Sequence, residues 1–244
     1  EGIRLYNLYP RLVGSMSKWA EHLDRIKEMG FNTIWVNPFH YPGFSGSLYS
    51  PKDYYKFNPI FIDNGSAKAP TEQLRDFIKA CHDRGLYFVM DLVINHTAID
   101  CPLIQEHPDW YRHDEAGKIL NPGAMHDGKW VVWGDLAEVD NENSKDRQNL
   151  WNFWWKMMAH HLELGVDGFR CDMAYQVPGE LWTFLIEKAR STRPGCLFLA
   201  ESLGCDFKQV QELAKLGFDY LFNSVKYWDF NAPWGMEQYY KTSP

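Results

Sequence analysis

Apolar positions along this chain switch repeatedly between short continuous runs and helical spacing, which predicts strands that alternate with helices. The runs predict strands at residues 3–9, 33–37, 87–94, 166–171, 196–200 and 218–222. Helical spacing predicts helices at residues 16–29, 71–84, 146–164, 180–191 and 207–215, with a further helix start at 236–241. Thr71 is the predicted N-cap of the second helix. Four glycines, each followed by a predicted strand, are the expected helix ends: Gly30, Gly85, Gly165 and Gly217.

Strands that alternate with helices indicate a parallel sheet. The first strand is not followed by a glycine-rich phosphate-binding segment, which argues against a dinucleotide-binding fold. We therefore expect a parallel (β/α) barrel of the TIM type, with about six of its eight strands present. Residues 1–96 would carry strands one to three, and residues 145–244 would carry strands four to six and end before a seventh.

Residues 97–144 interrupt this alternation with three prolines, four glycines and several charges. Long connections inside compact domains are usually functional, so we expect an excursion over one face of the barrel. Within it, Trp110 and Tyr111 either line a groove or pack the excursion itself. The aromatic residues of the long helix after it lie at helical spacing, which predicts a core face.

Composition limits the classes of partner. The net charge of −7, without a basic run, argues against nucleic-acid binding, and the apolar runs are too short to span a membrane. The first residue is Glu1 and is not followed by a secretion signal, so we expect the chain to start inside a longer product. Five cysteines without disulfide or zinc spacing slightly favour a reducing, cytoplasmic compartment. The 16% of aromatic residues fits either a large aromatic core or stacking platforms for sugar rings.

Charged side chains lie at the ends of three successive predicted strands, where the catalytic groups of barrels are found. Asp91 lies in the third strand, Arg170 and Asp172 end the fourth, and Glu201 follows the fifth. Because Arg170 and Asp172 are two residues apart, they face the same side of their strand. We expect Arg170 to lower the pKa of Asp172, as a nucleophile requires, and the apolar strand before Glu201 to favour its protonated form. Two carboxylates with opposite tuning are typical of glycoside hydrolysis.

Four segments resemble motifs of the alpha-amylase family of glycoside hydrolases. They are SLYSPKDYY at residues 47–55, DLVINH at 91–96, GFRCD at 168–172 and LAES at 199–202. Each is modest evidence alone, but all four occur in order and at the spacing of a barrel. The resemblance runs from the first predicted strand to the sixth. It implies a catalytic (β/α)8 barrel, in which residues 97–144 are a short form of the family's domain B.

The resemblance also implies catalytic roles for three residues. Asp172 matches the nucleophile that forms a covalent glycosyl-enzyme intermediate, and Glu201 matches the general acid and base. Arg170 matches the arginine that orients the nucleophile. The implied reaction is retaining cleavage of α-glucosidic bonds in starch-type or glycogen-type oligosaccharides.

Binding roles follow from the same resemblance. Asp91 matches a structural carboxylate beneath the nucleophile, His96 a histidine that contacts the sugar, and Tyr49 a tyrosine that stacks under it. Asn95 matches a side chain that binds calcium in many members. The ligand from the excursion would be Asp135 or Glu138, and the sequence does not decide between them. A cofactor is not otherwise implied.

The sequence departs from the family pattern in two places. An Asn-His-Asp segment, which carries a third carboxylate in the family, does not follow Asp172. We therefore expect this chain by itself to be inactive or nearly so. Many members carry Lys-His three and four residues after the nucleophile, whereas Tyr175 and Gln176 stand there in this chain, which bears on specificity for the leaving group.

Three functions are compatible with these residues. The first is a retaining hydrolase, the second is a glucanotransferase that passes the glucosyl unit to another sugar, and the third is a non-catalytic carbohydrate-binding protein. The presence of Asp172, Arg170 and Glu201 favours the two catalytic functions. Linkage, chain-length preference and oligomeric state are not encoded in any motif.

Overall fold

The computed structural model describes residues 2–126 and 129–222, together with Pro233 and Tyr240. The strands are β1 (Leu5–Leu8), β2 (Thr33–Val36), β3 (His40–Pro42), β4 (Pro51–Phe57), β5 (Tyr87–Leu92), β6 (His96–Ala98), β7 (Gly123–His126), β8 (Lys129–Val132), β9 (Leu136–Glu138), β10 (Gly168–Cys171), β11 (Leu197–Ala200) and β12 (Tyr220–Leu221). The α-helices are α1 (Pro10–Val13), α2 (Met16–Ala20), α3 (Leu23–Glu28), α4 (Pro70–His82), α5 (Leu103–Glu106), α6 (Arg147–Leu164), α7 (Gly179–Thr192) and α8 (Phe207–Leu213). The helix start predicted at 236–241 lies outside the described residues except for Tyr240.

Six strands form one sheet in the order β1-β2-β5-β10-β11-β12, and every neighbouring pair is parallel. These six strands are the six predicted from apolar runs, and they lie in the sheet in the order in which they occur along the chain. The sheet curls into part of a barrel. This confirms the predicted (β/α) barrel with about six strands in this chain. The core between sheet and helices holds large buried side chains, among them Trp19, Trp154, Trp182 and Phe169.

Two helices differ from their sequence-based predictions. The predicted helix at 16–29 divides into α2 and α3, because the backbone N–H groups of Glu21 and His22 bond to carbonyls three residues back, not four. Helix α4 begins at Pro70 with Ala69 as its cap, so the prediction of Thr71 as N-cap is wrong. Proline suits the first helical position because its missing N–H would have no helical partner there. The Glu72 carboxylate accepts a hydrogen bond from the Ala69 N–H at 2.8 Å.

The described residues between 97 and 144 lie outside the six-stranded sheet. Two antiparallel pairs occur in this region, β6–β9 and β7–β8, and β6 begins one residue before it, at His96. A further antiparallel pair, β3–β4, occupies the connection between β2 and α4 and was not predicted. Its register is irregular, which explains why the sequence lacks a clean period of two. Both regions sit at the carboxyl ends of barrel strands, and they supply walls above the sheet.

Asn141 ties the end of the excursion to the barrel. Its side-chain Nδ2 donates to the carbonyl of Ile94 at 2.8 Å, and its Oδ1 accepts from Nε1 of Trp154 at 2.8 Å. Nε1 of Trp151 donates to the Asn141 carbonyl at 2.9 Å. The helix-spaced tryptophans of α6 therefore pack and fasten the excursion, in agreement with their predicted core role.

Trp110 and Tyr111 are buried packing residues of the excursion. Trp110 stacks on His107 with ring centroids 3.8 Å apart, and its Nε1 donates to Asp146. The Tyr111 hydroxyl lies 3.1 Å from the Thr97 hydroxyl. Of the two readings left open by the sequence, packing is the one that the structure supports.

The five cysteines, Cys81, Cys101, Cys171, Cys196 and Cys205, all lie in the described part of the chain, are buried there and are not joined by disulfide bonds. Across the described residues, the helices are either too short or too polar to cross a membrane.

Gly168 provides a test of the sheet packing. A Cβ at this position would lie 2.5 Å from the Leu197 carbonyl oxygen and 2.6 Å from Leu197 Cβ in the adjacent strand. We expect Gly168→Ala to lower the free energy of unfolding by about 2–3 kcal/mol, because backbone atoms in a paired strand cannot move aside. Urea unfolding monitored by circular dichroism measures this change.

Gly134→Ala is the matched control, since Gly134 is exposed and a Cβ there meets no atom within 4 Å. Its expected effect is within about 0.5 kcal/mol. Equal losses in the two variants would contradict the close approach of β10 and β11.

Candidate active site

Strand register brings Arg170 and Asp91 together. They are direct partners in the β10–β5 ladder, so their side chains lie on the same face of the sheet. Arg170 Nη1 donates to Asp91 Oδ1 at 2.9 Å and to Asp172 Oδ1 at 2.7 Å. Arg170 Nη2 lies 3.3 Å from Glu201 Oε2. One guanidinium therefore contacts carboxylates from the ends of three neighbouring strands.

Asp91 is the buried anchor of this cluster. Besides Arg170, it accepts hydrogen bonds on Oδ2 from the Trp35 Nε1 at 3.1 Å and from the Tyr49 hydroxyl at 2.9 Å. The Tyr49 hydroxyl in turn accepts from Asn37 Nδ2 at 2.9 Å. The guanidinium carbon of Arg170 lies 4.9 Å from the Trp35 ring centroid and 5.8 Å from that of Tyr49. These rings and hydrogen bonds fix where the guanidinium lies.

The charges in the cluster do not balance, since Arg170 faces three carboxylates. Burial raises the pKa of both Asp91 and Asp172, whereas the neighbouring guanidinium lowers each. The expectation that Arg170 gives Asp172 a low pKa is therefore wrong in its net direction. Desolvation outweighs the attraction, and the like charge of Glu201 raises the pKa of Asp172 further. The cluster retains a proton more readily than isolated aspartates would.

His96 is neutral and held in one orientation. Its Nε2 lies 3.0 Å from the carbonyl of Tyr49, which can only accept, so the proton is on Nε2. Its Nδ1 lies 3.4 Å from Asn95 Nδ2. Burial lowers the pKa of His96 to about 4, because the charged form loses its hydration. The ring therefore offers the site a polar but uncharged surface.

These residues surround one open cleft of about 660 Å³ at the carboxyl edge of the sheet. That volume lies within the range of small-molecule sites. Five of the predicted site residues line the cleft: Tyr49, His96, Arg170, Asp172 and Glu201. Asp91 lies behind Arg170 and is fully buried.

Several residues of the site were not identified from the sequence. Trp35 stacks on Arg170, Met173 connects to Glu201, and Trp130 and Trp133 line the cleft from the excursion. Trp130 keeps 58% of its surface exposed. A Cβ on Gly123 would lie 2.9 Å from Trp130 Nε1, so the indole packs across a glycine of the facing strand. The available signal was the pair of tryptophans in the segment GKWVVWGD at residues 128–135.

Known proteins share this architecture. Residues 1–129, just over half of the chain, match the family model described as glycogen debranching enzyme, glucanotransferase domain. An alpha-1,4-glucan:maltose-1-phosphate maltosyltransferase from Picrophilus torridus is 26% identical over 230 residues, which cover 87% of this chain and 35% of that protein. The chain belongs to the alpha-amylase family.

Solved structures of the alpha-amylase family agree with this assignment. A noncanonic maltogenic alpha-amylase from Thermotoga neapolitana is 27% identical with a TM-score of 0.73, over 94% of this chain and 51% of that one. An alpha-amylase from Lactobacillus plantarum is 26% identical with a TM-score of 0.75, over 95% of this chain and 55% of that one. The chain thus spans about half the length of these solved relatives.

The calcium site that the family resemblance implies at Asn95 stays a prediction. The amide of Asn95 faces His96, Asp135 lines the cleft, and Glu138 pairs with Arg112 at 3.2 Å. Within residues 2–126 and 129–222, groups of three or more His, Cys, Asp or Glu side chains that could hold a metal do not occur. Calcium takes six to eight oxygen ligands, so a site here would also need backbone carbonyls and water.

The buried carboxyls predict that stability depends on pH. Because the pKa values of Asp91 and Asp172 are raised above 3.8 in the folded chain, the folded state binds protons more tightly than the unfolded state. Their stabilising contribution is therefore present below about pH 4 and is lost as the pH rises towards neutrality. We expect the unfolding free energy of the wild type, relative to Asp172→Asn, to fall by the order of 1 kcal/mol between pH 4 and 7.

Chemical denaturation at several pH values measures this difference, in which titrating groups that lie outside the Arg170 cluster cancel. The control is Asp24→Asn, because Asp24 is exposed and its pKa is lowered, so it is ionised in both states above pH 5. The difference in unfolding free energy between Asp24→Asn and the wild type should be constant from pH 5 to 7. A constant difference for Asp172→Asn as well would show that the buried carboxyls are ionised throughout.

Proposed function

We propose that this chain carries the catalytic centre of a retaining enzyme that cleaves α-glucosidic bonds in α-glucans or maltooligosaccharides. The observation that supports it most directly is that Asp172 and Glu201 line one cleft and contact one guanidinium, that of Arg170. Membership of the alpha-amylase family supports the same class of substrate. Retaining glycosidases use such a pair as nucleophile and acid/base.

In the first step, a carboxylate oxygen of Asp172 attacks the anomeric carbon, and the bond from that carbon to the glycosidic oxygen breaks. Glu201 gives its proton to the departing oxygen. In the second step, Glu201 takes a proton from water, the water oxygen attacks the anomeric carbon, and the bond to Asp172 breaks. In each step the new bond forms on the face of the anomeric carbon opposite the bond that breaks, which inverts the configuration. Two inversions restore it, so the configuration is retained.

The remaining site residues would orient these two groups. Arg170 holds Asp172 through a 2.7 Å hydrogen bond, and Asp91 holds Arg170 from the buried side. His96 and Tyr49 line the cleft beside Asp172 and are the proposed contacts to the sugar. The aromatic face of Tyr49 suits the apolar face of a sugar ring.

Transfer to a second sugar is the other candidate function. It is supported by the matching family model, described as a glucanotransferase domain, and by the maltosyltransferase relative. The exposed Trp130 and the nearby Trp133 give the cleft an aromatic wall on which an acceptor sugar can stack. In that reaction a sugar hydroxyl takes the place of water in the second step.

The first test is product analysis with maltoheptaose and the whole gene product. Asp172→Asn and Glu201→Gln should each lower the rate by about 100-fold or more, because each removes a group that reacts. The exposed Asp24→Asn is the control and should keep the wild-type rate. Proton NMR of the first product should show the α anomer. Cleavage that survives Glu201→Gln would contradict the assignment of Glu201 as the acid. Residues 1–244 tested alone are expected to be nearly inactive.

Labelled maltose as acceptor distinguishes the two functions. A hydrolase releases only shorter products, whereas a transferase produces labelled chains longer than maltose. Formation of longer labelled chains that depends on Glu201 would favour transfer. Free glucose or maltose without longer labelled chains would favour hydrolysis.

The aromatic wall gives a separate prediction. We expect Trp130→Ala to raise the KM for maltoheptaose by about 5–10-fold with little change in kcat, because it removes a stacking surface and leaves the reacting groups in place. The matched control is Tyr87→Ala, since Tyr87 is 51% exposed at the opposite, amino-terminal end of β5. Initial rates at varied substrate concentration measure both constants. An unchanged KM in Trp130→Ala would exclude this wall from substrate binding.

A further inference from the structure

Met173, directly after Asp172, has an unusual backbone conformation. Its φ and ψ are both 45°, in the left-handed region, and it is the only non-glycine with a positive φ among the described residues. Side chains other than glycine pay about 1–2 kcal/mol for this conformation. Such strain persists only where surrounding contacts enforce it, and it occurs often at active sites.

Contacts on both sides enforce the turn. The Gln176 N–H donates to the Met173 carbonyl at 2.8 Å, and the Ala174 N–H donates to the Glu201 carbonyl at 3.2 Å. Nε1 of the fully buried Trp182 donates to the Ala174 carbonyl at 2.9 Å. The turn after β10 is thereby fastened to α7 and to the end of β11.

The strained turn directs the Met173 N–H at the carboxylate of Glu201. The donor nitrogen lies 2.8 Å from Oε2, and Arg170 Nη2 lies 3.3 Å from the same oxygen. An oxygen that faces two N–H donors is an acceptor and is a poor place for a proton. The other oxygen, Oε1, is left to carry the proton.

We propose that Met173 is a positioning residue for Glu201, whose left-handed backbone fixes Oε2 as the acceptor oxygen and leaves the transferable proton on Oε1. This inference rests on the proposed function. In the first step the Oε1–H bond breaks and the proton passes to the departing glycosidic oxygen, whose electron pair forms the new O–H bond. In the second step Oε1 accepts a proton from water or from an acceptor hydroxyl.

Two glycosyl substrates, maltoheptaose and α-maltosyl fluoride, distinguish this role of Met173 from a general structural one. Maltoheptaose needs a proton on its leaving oxygen, whereas α-maltosyl fluoride releases fluoride without one. The measured quantity is the ratio of kcat/KM for maltoheptaose to kcat/KM for the fluoride, in the whole gene product. A merely structural defect lowers both constants and leaves the ratio unchanged.

Met173→Val should lower this ratio by about 30-fold or more, because a β-branched side chain resists the left-handed region and turns the N–H away. Met173→Gly should keep the ratio within about threefold of wild type, because glycine adopts the same backbone conformation. Met158→Val, at a fully buried methionine of α6, is the control for lost volume and should leave both constants unchanged.

A ratio that is unchanged in Met173→Val, or that falls equally in Met173→Gly, would overturn the role of Met173 while the proposed function stands. If the wild type cleaves neither maltoheptaose nor the fluoride, the proposed function fails. A measurement that needs no turnover then tests whether the Met173 N–H binds Glu201. That measurement is hydrogen–deuterium exchange of the Met173 amide by NMR. It also serves if Met173→Val does not fold.

We expect this amide to exchange at least about tenfold faster in Glu201→Ala, which lacks the acceptor, than in Glu201→Gln, which keeps an oxygen there. Equal exchange in the two variants would show that the Met173 N–H does not depend on the Glu201 side chain and would overturn the inference.

Discussion

The buried guanidinium of Arg170 is the interaction on which the site depends. It contacts Asp91, Asp172 and Glu201, which come from the ends of three neighbouring strands. Without it, three carboxylates would face one another with little water, and their repulsion would favour protonated or displaced carboxyl groups. The stacked ring of Trp35 and the hydrogen bonds to Asp91 hold the guanidinium in turn. Geometry and charge at the site therefore rest on one side chain.

This arrangement links the burial of the carboxylates to their protonation state. Desolvation raises the pKa of Asp91 and Asp172, and the guanidinium opposes that rise without cancelling it. The cluster can thus hold a proton close to the pH at which a nucleophile must be ionised. A sugar that fills the cleft would exclude further water and strengthen every one of these interactions.

The barrel and the excursion contribute different residues to the cleft. The barrel supplies the carboxylates and Arg170 from strand ends whose register is fixed. The excursion supplies Trp130 and Trp133, and Asn141 fastens its far end to α6. The cleft therefore has charged side chains from regular strand ends at its base and aromatic side chains of the excursion in its wall.

The sequence by itself determined the order of strands and helices, the parallel sheet and the position of charged residues at strand ends. These follow from local periodicity, glycine at helix ends and the alternation of Arg170 and Asp172 along one strand. Only the tertiary structure decided the net pKa direction of Asp172, because desolvation depends on everything packed around it. It also decided the contacts of Trp130 and Met173, since one lies on an irregular excursion and the other has a backbone conformation enforced by distant residues. Such contacts join segments far apart in the chain, and no local pattern encodes them.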